Sequence, residues 1–142
     1  MDITKLYLEN NDCFKAGKAL EKVEEIIKHS SSANNPSLVS YIGTNPVLGT
    51  NKYENHWNRS GVKKCVHFMI GKDLNGNVRC YQLLPLNYQC WGCGSGKNGS
   101  YNKTHIQYEI LEDSLNDEKY FKEAFALARE LDAYLCKKFN LT

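Results

Sequence analysis

The chain has 142 residues, a formal net charge of +2 and 42% hydrophobic residues, enough for one domain with its own core. Lysine and arginine are scattered apart from the doublets Lys63-Lys64 and Lys137-Lys138, so the clustered basic face that phosphate binding needs is missing and nucleic acid is excluded as the main partner. No apolar run approaches membrane-spanning length, and Met1-Asp2-Ile3-Thr4-Lys5 lacks the basic-then-apolar order of a secretion signal, so the expectation is cytoplasmic synthesis and no membrane partner.

Residues 1–12 read as a lead-in around Leu6-Tyr7-Leu8, and residues 16–25 have helical composition. Glu24-Glu25-Ile26-Ile27-Lys28-His29 reads as a strand, because β-branched residues precede a turn-rich run. Lys28 is unexpected there, and reads either as a residue on the outward face or as a local degeneration of the sequence. Asn35-Pro36-Ser37 opens a short helix over 38–42, since proline is tolerated in a first turn. Residues 43–61, rich in Gly, Asn and Pro, form a long loop expected to line a groove.

Strands at 64–70 and 78–84 flank Asp73-Leu74-Asn75-Gly76-Asn77, whose Asn-Gly signals a hairpin. A glycine-rich loop over 92–100 leads to a strand at 104–111, where Ile106, Tyr108 and Ile110 alternate with Gln107, Glu109 and Leu111. The last element is a helix over 117–139. Its apolar stripe is Phe121, Ala124, Phe125, Ala128, Leu131, Leu135 and Phe139, with acids near the start and Lys137 and Lys138 near the end. The expected fold is α/β: a single domain over 1–142, with a mixed β-sheet flanked by helices and no repeats.

Six cysteines are a high count: Cys13, Cys65, Cys80, Cys90, Cys93 and Cys136. Without a secretion signal they are expected as reduced thiols filling small core spaces. Cys90 and Cys93 form a lone C-x-x-C, which leaves open a redox or zinc-structural role, or a disulfide if the protein works outside the cell.

Two segments carry chemistry. His29 stands at the end of an apolar strand, followed by Ser30-Ser31. Glu109 stands inside an apolar strand, after the loop Cys90-Trp91-Gly92-Cys93-Gly94-Ser95-Gly96. A histidine able to hold a metal and a glutamate buried enough to act as a base are two parts of a hydrolytic zinc site. These segments stand in order with Asn10-Asn11-Asp12-Cys13, Asn55-His56-Trp57-Asn58, Val66-His67-Phe68-Met69-Ile70-Gly71-Lys72-Asp73, Tyr81-Gln82-Leu83-Leu84-Pro85 and Ala133-Tyr134-Leu135-Cys136. In that order the chain resembles the zinc-dependent N-acetylmuramoyl-L-alanine amidases of the type-2 family. These are cell-wall lysins of phages and Gram-positive bacteria, and relatives of the peptidoglycan-recognition proteins.

The resemblance implies an amidase type-2, peptidoglycan-recognition-like fold acting on the cell wall, with a peptidoglycan muropeptide as partner. It makes His29 a zinc ligand and Glu109 the general base that hands a proton from water to the leaving amine. His67 is expected near the scissile carbonyl as an oxyanion stabiliser, against the competing reading of a core-edge histidine. Trp57, Asn58, Trp91 and His105 are the candidate substrate contacts, and His56 belongs to the groove wall.

The family takes two further zinc ligands, and a carbonyl-polarising lysine, from a segment after the long C-terminal helix. This sequence ends at Thr142, so the resemblance implies an incomplete zinc site and a C-terminally truncated fold. Three readings stay open: part of a longer or split enzyme, a non-catalytic peptidoglycan- or protein-binding module, and recruitment of substitute ligands. An uncovered crevice around His29 and Glu109 is expected to invite a homodimer or a complementing C-terminal fragment.

Overall fold

The computed structural model describes residues 1–142. Its framework is one five-stranded sheet made from β1 (Ile3–Lys5), β2 (Glu25–Ser30), β3 (Phe68–Lys72), β4 (Val78–Gln82) and β5 (His105–Ile110), in the order β1-β4-β3-β5-β2. The β3–β4 pair is antiparallel, across the hairpin that Asn75-Gly76 announces, and the other pairings are parallel. Glycine is needed at position 76, where φ is +82°. Asp73 closes the turn by accepting from the backbone N–H groups of Asn75 and Asn77.

The mixed α/β architecture expected from the sequence is present, with departures in detail; the strand expected over 64–70 begins only at Phe68. The lead-in contains β1, which is too short to show alternation. It is held by parallel pairing to β4 and by Leu6 N–H and Leu8 N–H donating to Gln82 and Leu83. The helix expected over 16–25 is absent. Instead α1 (Asp12–Ala16) is capped by Asn11 and ends at Gly17, where φ is +55°. Residues beyond it run extended, tied by Leu20, Glu21 and Glu24 N–H groups to the carbonyls of Asn87, Lys103 and Thr104. Those distant hydrogen bonds outweigh a weak local preference for helix.

The short helix α2 (Val39–Ile42) follows Pro36 as expected. In α3 (Glu118–Phe139), Asp117 caps the first turn by accepting from Lys119 and Tyr120 N–H. Its buried stripe is Tyr120, Ala124, Ala128, Leu131 and Leu135, so Phe121 and Phe125 stand half-exposed and stacked 6.0 Å apart rather than in the core. Tyr120 displaces them because its hydroxyl donates to the Leu111 carbonyl at 2.6 Å. Lys28 stands half-exposed on β2 and ion-pairs with Asp132 of α3.

The sheet separates two cores. Phe68, Ile70, Cys80, Ile106 and Tyr108 pack under α3. Met69, Tyr81, Leu83 and Leu111 pack on the opposite face, under Leu8, Leu38, Ile42, Leu48 and Val66. Alternation along β5 therefore sends Ile106 and Tyr108 toward α3, and Gln107, Glu109 and Leu111 the other way.

The reduced-thiol expectation fails at one pair: Cys13 and Cys65 form a disulfide that closes a separation of 52 residues. The other four cysteines are free, Cys90 and Cys93 included. No helix is long and apolar enough to cross a membrane.

Candidate active site

β2 and β5 run parallel with His29 and Glu109 as register partners. Partners on neighbouring strands lie about 4.8 Å apart and project to the same face. The two residues singled out in the sequence, 80 positions apart by number, therefore stand side by side on the face away from α3. Both are half-buried.

Burial pushes the Glu109 carboxyl above its ordinary value, because a carboxylate loses hydration in a partly enclosed cleft. The charges of His29 and Lys64 oppose that rise without cancelling it. A carboxyl shifted toward neutrality is suited to exchanging a proton with water.

Two neighbours of Glu109 were not singled out in the sequence. Lys64, exposed on the loop before β3, places its ammonium 5.4 Å from the Trp57 ring centre. Tyr41 of α2 meets Trp57 edge-on at 5.6 Å, and accepts at its carbonyl from Trp57 N–H at 2.8 Å. Burial, and then the Glu109 charge, raise the Tyr41 hydroxyl above its ordinary value. The Lys63-Lys64 doublet was visible in the sequence but carried no sign of which strand it would face. Tyr41 and Lys64 thus place a hydroxyl and an ammonium within electrostatic range of the Glu109 carboxyl, both packed against Trp57.

The remaining candidates scatter. His67 does not reach the crevice: it is fully buried, and both ring nitrogens are committed to backbone. Its Nε2 donates to the Tyr88 carbonyl at 2.7 Å, and its Nδ1 accepts from Gln107 N–H at 3.1 Å. Desolvation lowers its pKa to about 4, which keeps the ring neutral. The oxyanion role expected for His67 is therefore corrected to a structural one: with no exposed face, it cannot meet a scissile carbonyl.

His105 starts β5, four residues and so about 13 Å from Glu109. It is buried against Thr104 and the Tyr101 ring, away from the His29–Glu109 pair. Asn58 spends its carbonyl oxygen on Asn10 N–H, and His56 Nδ1 accepts from Asn58 N–H. Trp91 is partly buried against Cys13, Cys65, Leu84 and Cys90. Of the four candidate substrate contacts, Trp57 packs against Tyr41 and Lys64, the two side chains whose hydroxyl and charge interact with Glu109.

Beneath His29 lies a polar floor. His29 Nε2 is 2.7 Å from Gln107 Oε1, and Cys93 Sγ is 3.2 Å from the same oxygen. Period-2 alternation along β5 could have found Gln107, since it shares the Glu109 face. An apolar groove of 390 Å³ opens at the C-terminal ends of β2 and β5, on the α3 side, lined in part by Leu115, Phe121 and Phe125. It touches His29 but not Glu109.

No three His, Cys, Asp or Glu side chains are grouped to hold a metal ion. A catalytic zinc takes three protein ligands and an open position. His29 with its neighbours does not meet that requirement.

The profile of the Amidase_2 family, N-acetylmuramoyl-L-alanine amidase, matches residues 19–142. No curated protein sequence matches the chain. Solved structures share its fold. A mutant endolysin from Bacillus subtilis aligns with a TM-score of 0.67 at 21% identity, over 100% of this chain and 79% of that one. The structure of PlyL aligns at 0.69 and 19% identity, over 100% of this chain and 77% of PlyL. The solution structure of the PlyG catalytic domain aligns at 0.64 and 22% identity, over 99% and 73%. With the family profile spanning all but the first eighteen residues, the chain belongs to the N-acetylmuramoyl-L-alanine amidase family.

Proposed function

We propose that the chain is a peptidoglycan hydrolase that cleaves the amide between N-acetylmuramic acid and the L-alanine of the peptide stem. The observation that carries this reading is the in-register pairing of His29 with a Glu109 whose carboxyl is raised by burial. Glu109 takes a proton from the attacking water and returns it to the departing amine nitrogen of alanine. Lys64 and Tyr41, whose side chains interact electrostatically with Glu109, are the cationic and hydroxyl groups proposed to meet the carbonyl oxygen as negative charge develops there. Trp57 offers a flat apolar wall for a sugar ring or a stem methyl.

The family is usually zinc-dependent, and the narrower part of the proposal gives His29 one bond to zinc. The crevice residues do not fit the ion unaided, so this part stands on the family and on the His29 position alone. Metal analysis of the purified chain, and zinc titration of wild type against His29→Ala, test it apart from the hydrolytic claim.

The hydrolytic claim is tested on purified sacculi. Release of new alanine α-amino groups, abolished by Glu109→Gln, supports it. Retention on sacculi without amine release supports a second reading, favoured by the missing three-ligand group: a non-catalytic module that holds muropeptide in the same crevice.

A further inference from the structure

We propose that Gln107 is the positioning residue of this site: it fixes the proton of His29 on Nε2 and leaves Nδ1 as the nitrogen with a free lone pair. The proposal rests on the reading of His29 as a working nitrogen for its consequence, but not for its geometry.

The orientation is fixed by groups whose hydrogen-bonding sense cannot change. The two ends of an amide side chain look alike, so their roles must be fixed by a partner that can only donate or only accept. Cys93 supplies both kinds. Its backbone N–H donates to Asn102 Oδ1 at 2.9 Å, and its carbonyl accepts from Asn102 Nδ2 at 2.9 Å. Asn102 is therefore locked in one orientation.

Asn102 Oδ1 accepts a second hydrogen bond, from Gln107 Nε2 at 2.8 Å. That contact makes the end of Gln107 facing Asn102 its NH2 group, and the end facing His29 its carbonyl. A carbonyl oxygen only accepts. At 2.7 Å, His29 Nε2 must bring the proton, and Cys93 Sγ–H shares the same oxygen at 3.2 Å. In the neutral ring, Nδ1 is then unprotonated.

Three further features hold Gln107 in place. Its side chain is fully buried. Its backbone is clipped twice by His67: Gln107 N–H donates to the His67 ring, and the Gln107 carbonyl accepts from His67 N–H at 2.8 Å. Gly92 packs so closely that a Cβ there would sit 2.4 Å from Gln107 Oε1 and 3.1 Å from His29 Nε2. The buried His67 thus acts on the site through Gln107, without touching substrate. The outcome is an imidazole whose lone pair is assigned before any proton or cation arrives, the usual service of an outer-shell acceptor to a working histidine.

The test is a long-range proton–nitrogen correlation spectrum of the full chain labelled with nitrogen-15 histidine, recorded where His29 is neutral. The expected spectrum has His29 protonated at Nε2, with that proton protected from exchange and visible in water. Gln107→Leu loses the visible proton, Gln107→Glu restores it by keeping an acceptor, and Asn102→Ala weakens it by freeing the Gln107 amide to turn over. A proton on Nδ1 in the wild type overturns the proposal. So does an Nε2 proton equally protected in Gln107→Leu. If Gln107→Leu does not fold, the wild-type spectrum and Asn102→Ala decide in the same terms. A parallel titration with zinc alone separates the two readings. The expected spectrum without zinc binding leaves the Gln107 assignment standing and removes the metal part of the proposed function. Zinc binding with the proton on Nδ1 does the reverse.

Discussion

Glu109→Gln isolates the proton-transfer role, because glutamine keeps the size of the side chain and removes its capacity to take a proton. A positioned general base contributes about 10²–10⁴-fold, or roughly 3–5 kcal/mol of barrier at about 1.4 kcal/mol per decade. That loss is expected in the rate of alanine amine release from sacculi. Stability should move the other way. Burial raises the Glu109 carboxyl in the folded chain, so its contribution to stability is fully present below the ordinary value near 4.5 and is lost as pH rises through the folded value. At neutral pH the variant no longer desolvates a charge, and its thermal midpoint should equal or exceed that of the parent. Because the group is partly exposed and His29 and Lys64 oppose the shift, the gain should be small. Undiminished amine release by Glu109→Gln, or a loss matched by loss of folded protein, refutes the reasoning.

Acid should destabilise the fold through His67, whose pKa falls to about 4 from 6.5. The unfolded chain then binds more protons between those values, and stability drops by about 3 kcal/mol as pH falls through the window; denaturant titrations of His67→Gln should show that part of the slope removed. Reducing the Cys13–Cys65 disulfide frees a separation of 52 residues, and the chain-entropy relation puts the loss near 4 kcal/mol; an unchanged guanidinium midpoint in a Cys13→Ser, Cys65→Ser chain contradicts it. Gly92→Ala drives a Cβ into Gln107 Oε1 and should cost about 1–3 kcal/mol, read as a lower thermal midpoint. Leu131→Ala, fully buried under the sheet, should cost about 2–5 kcal/mol, whereas Phe121→Ser on the half-exposed face should stay within about 0.5 kcal/mol.

The pair at the centre of the site was legible because strands obey a period of two and parallel pairing preserves it. His29 ends one apolar strand and Glu109 lies within another, and their register follows from packing Ile26, Ile106 and Tyr108 against α3. What surrounds them was less legible. Gln107 reads in sequence as filler on an alternating strand, and its role depends on Cys93 in the glycine-rich loop and on Asn102 in the short helical turn before β5. Tyr41 and Lys64 act on Glu109 electrostatically from separate parts of the chain. His67 was misplaced because alternation gives a side chain its face but not whether that face is sealed, and here Tyr88 and Gln107 seal it. The α3 stripe slipped because Phe121 and Phe125 match helical spacing as well as Tyr120 does, and only the Leu111 carbonyl distinguishes them.

The central claim is that the crevice holding His29 and Glu109 cuts one particular bond. Mass analysis of the products from a purified, defined muropeptide incubated with the full chain tests it directly. The account predicts a glycan bearing a free lactyl carboxyl and a stem peptide beginning with free L-alanine. Intact muropeptide, or cleavage within the glycan or between stem residues, contradicts it.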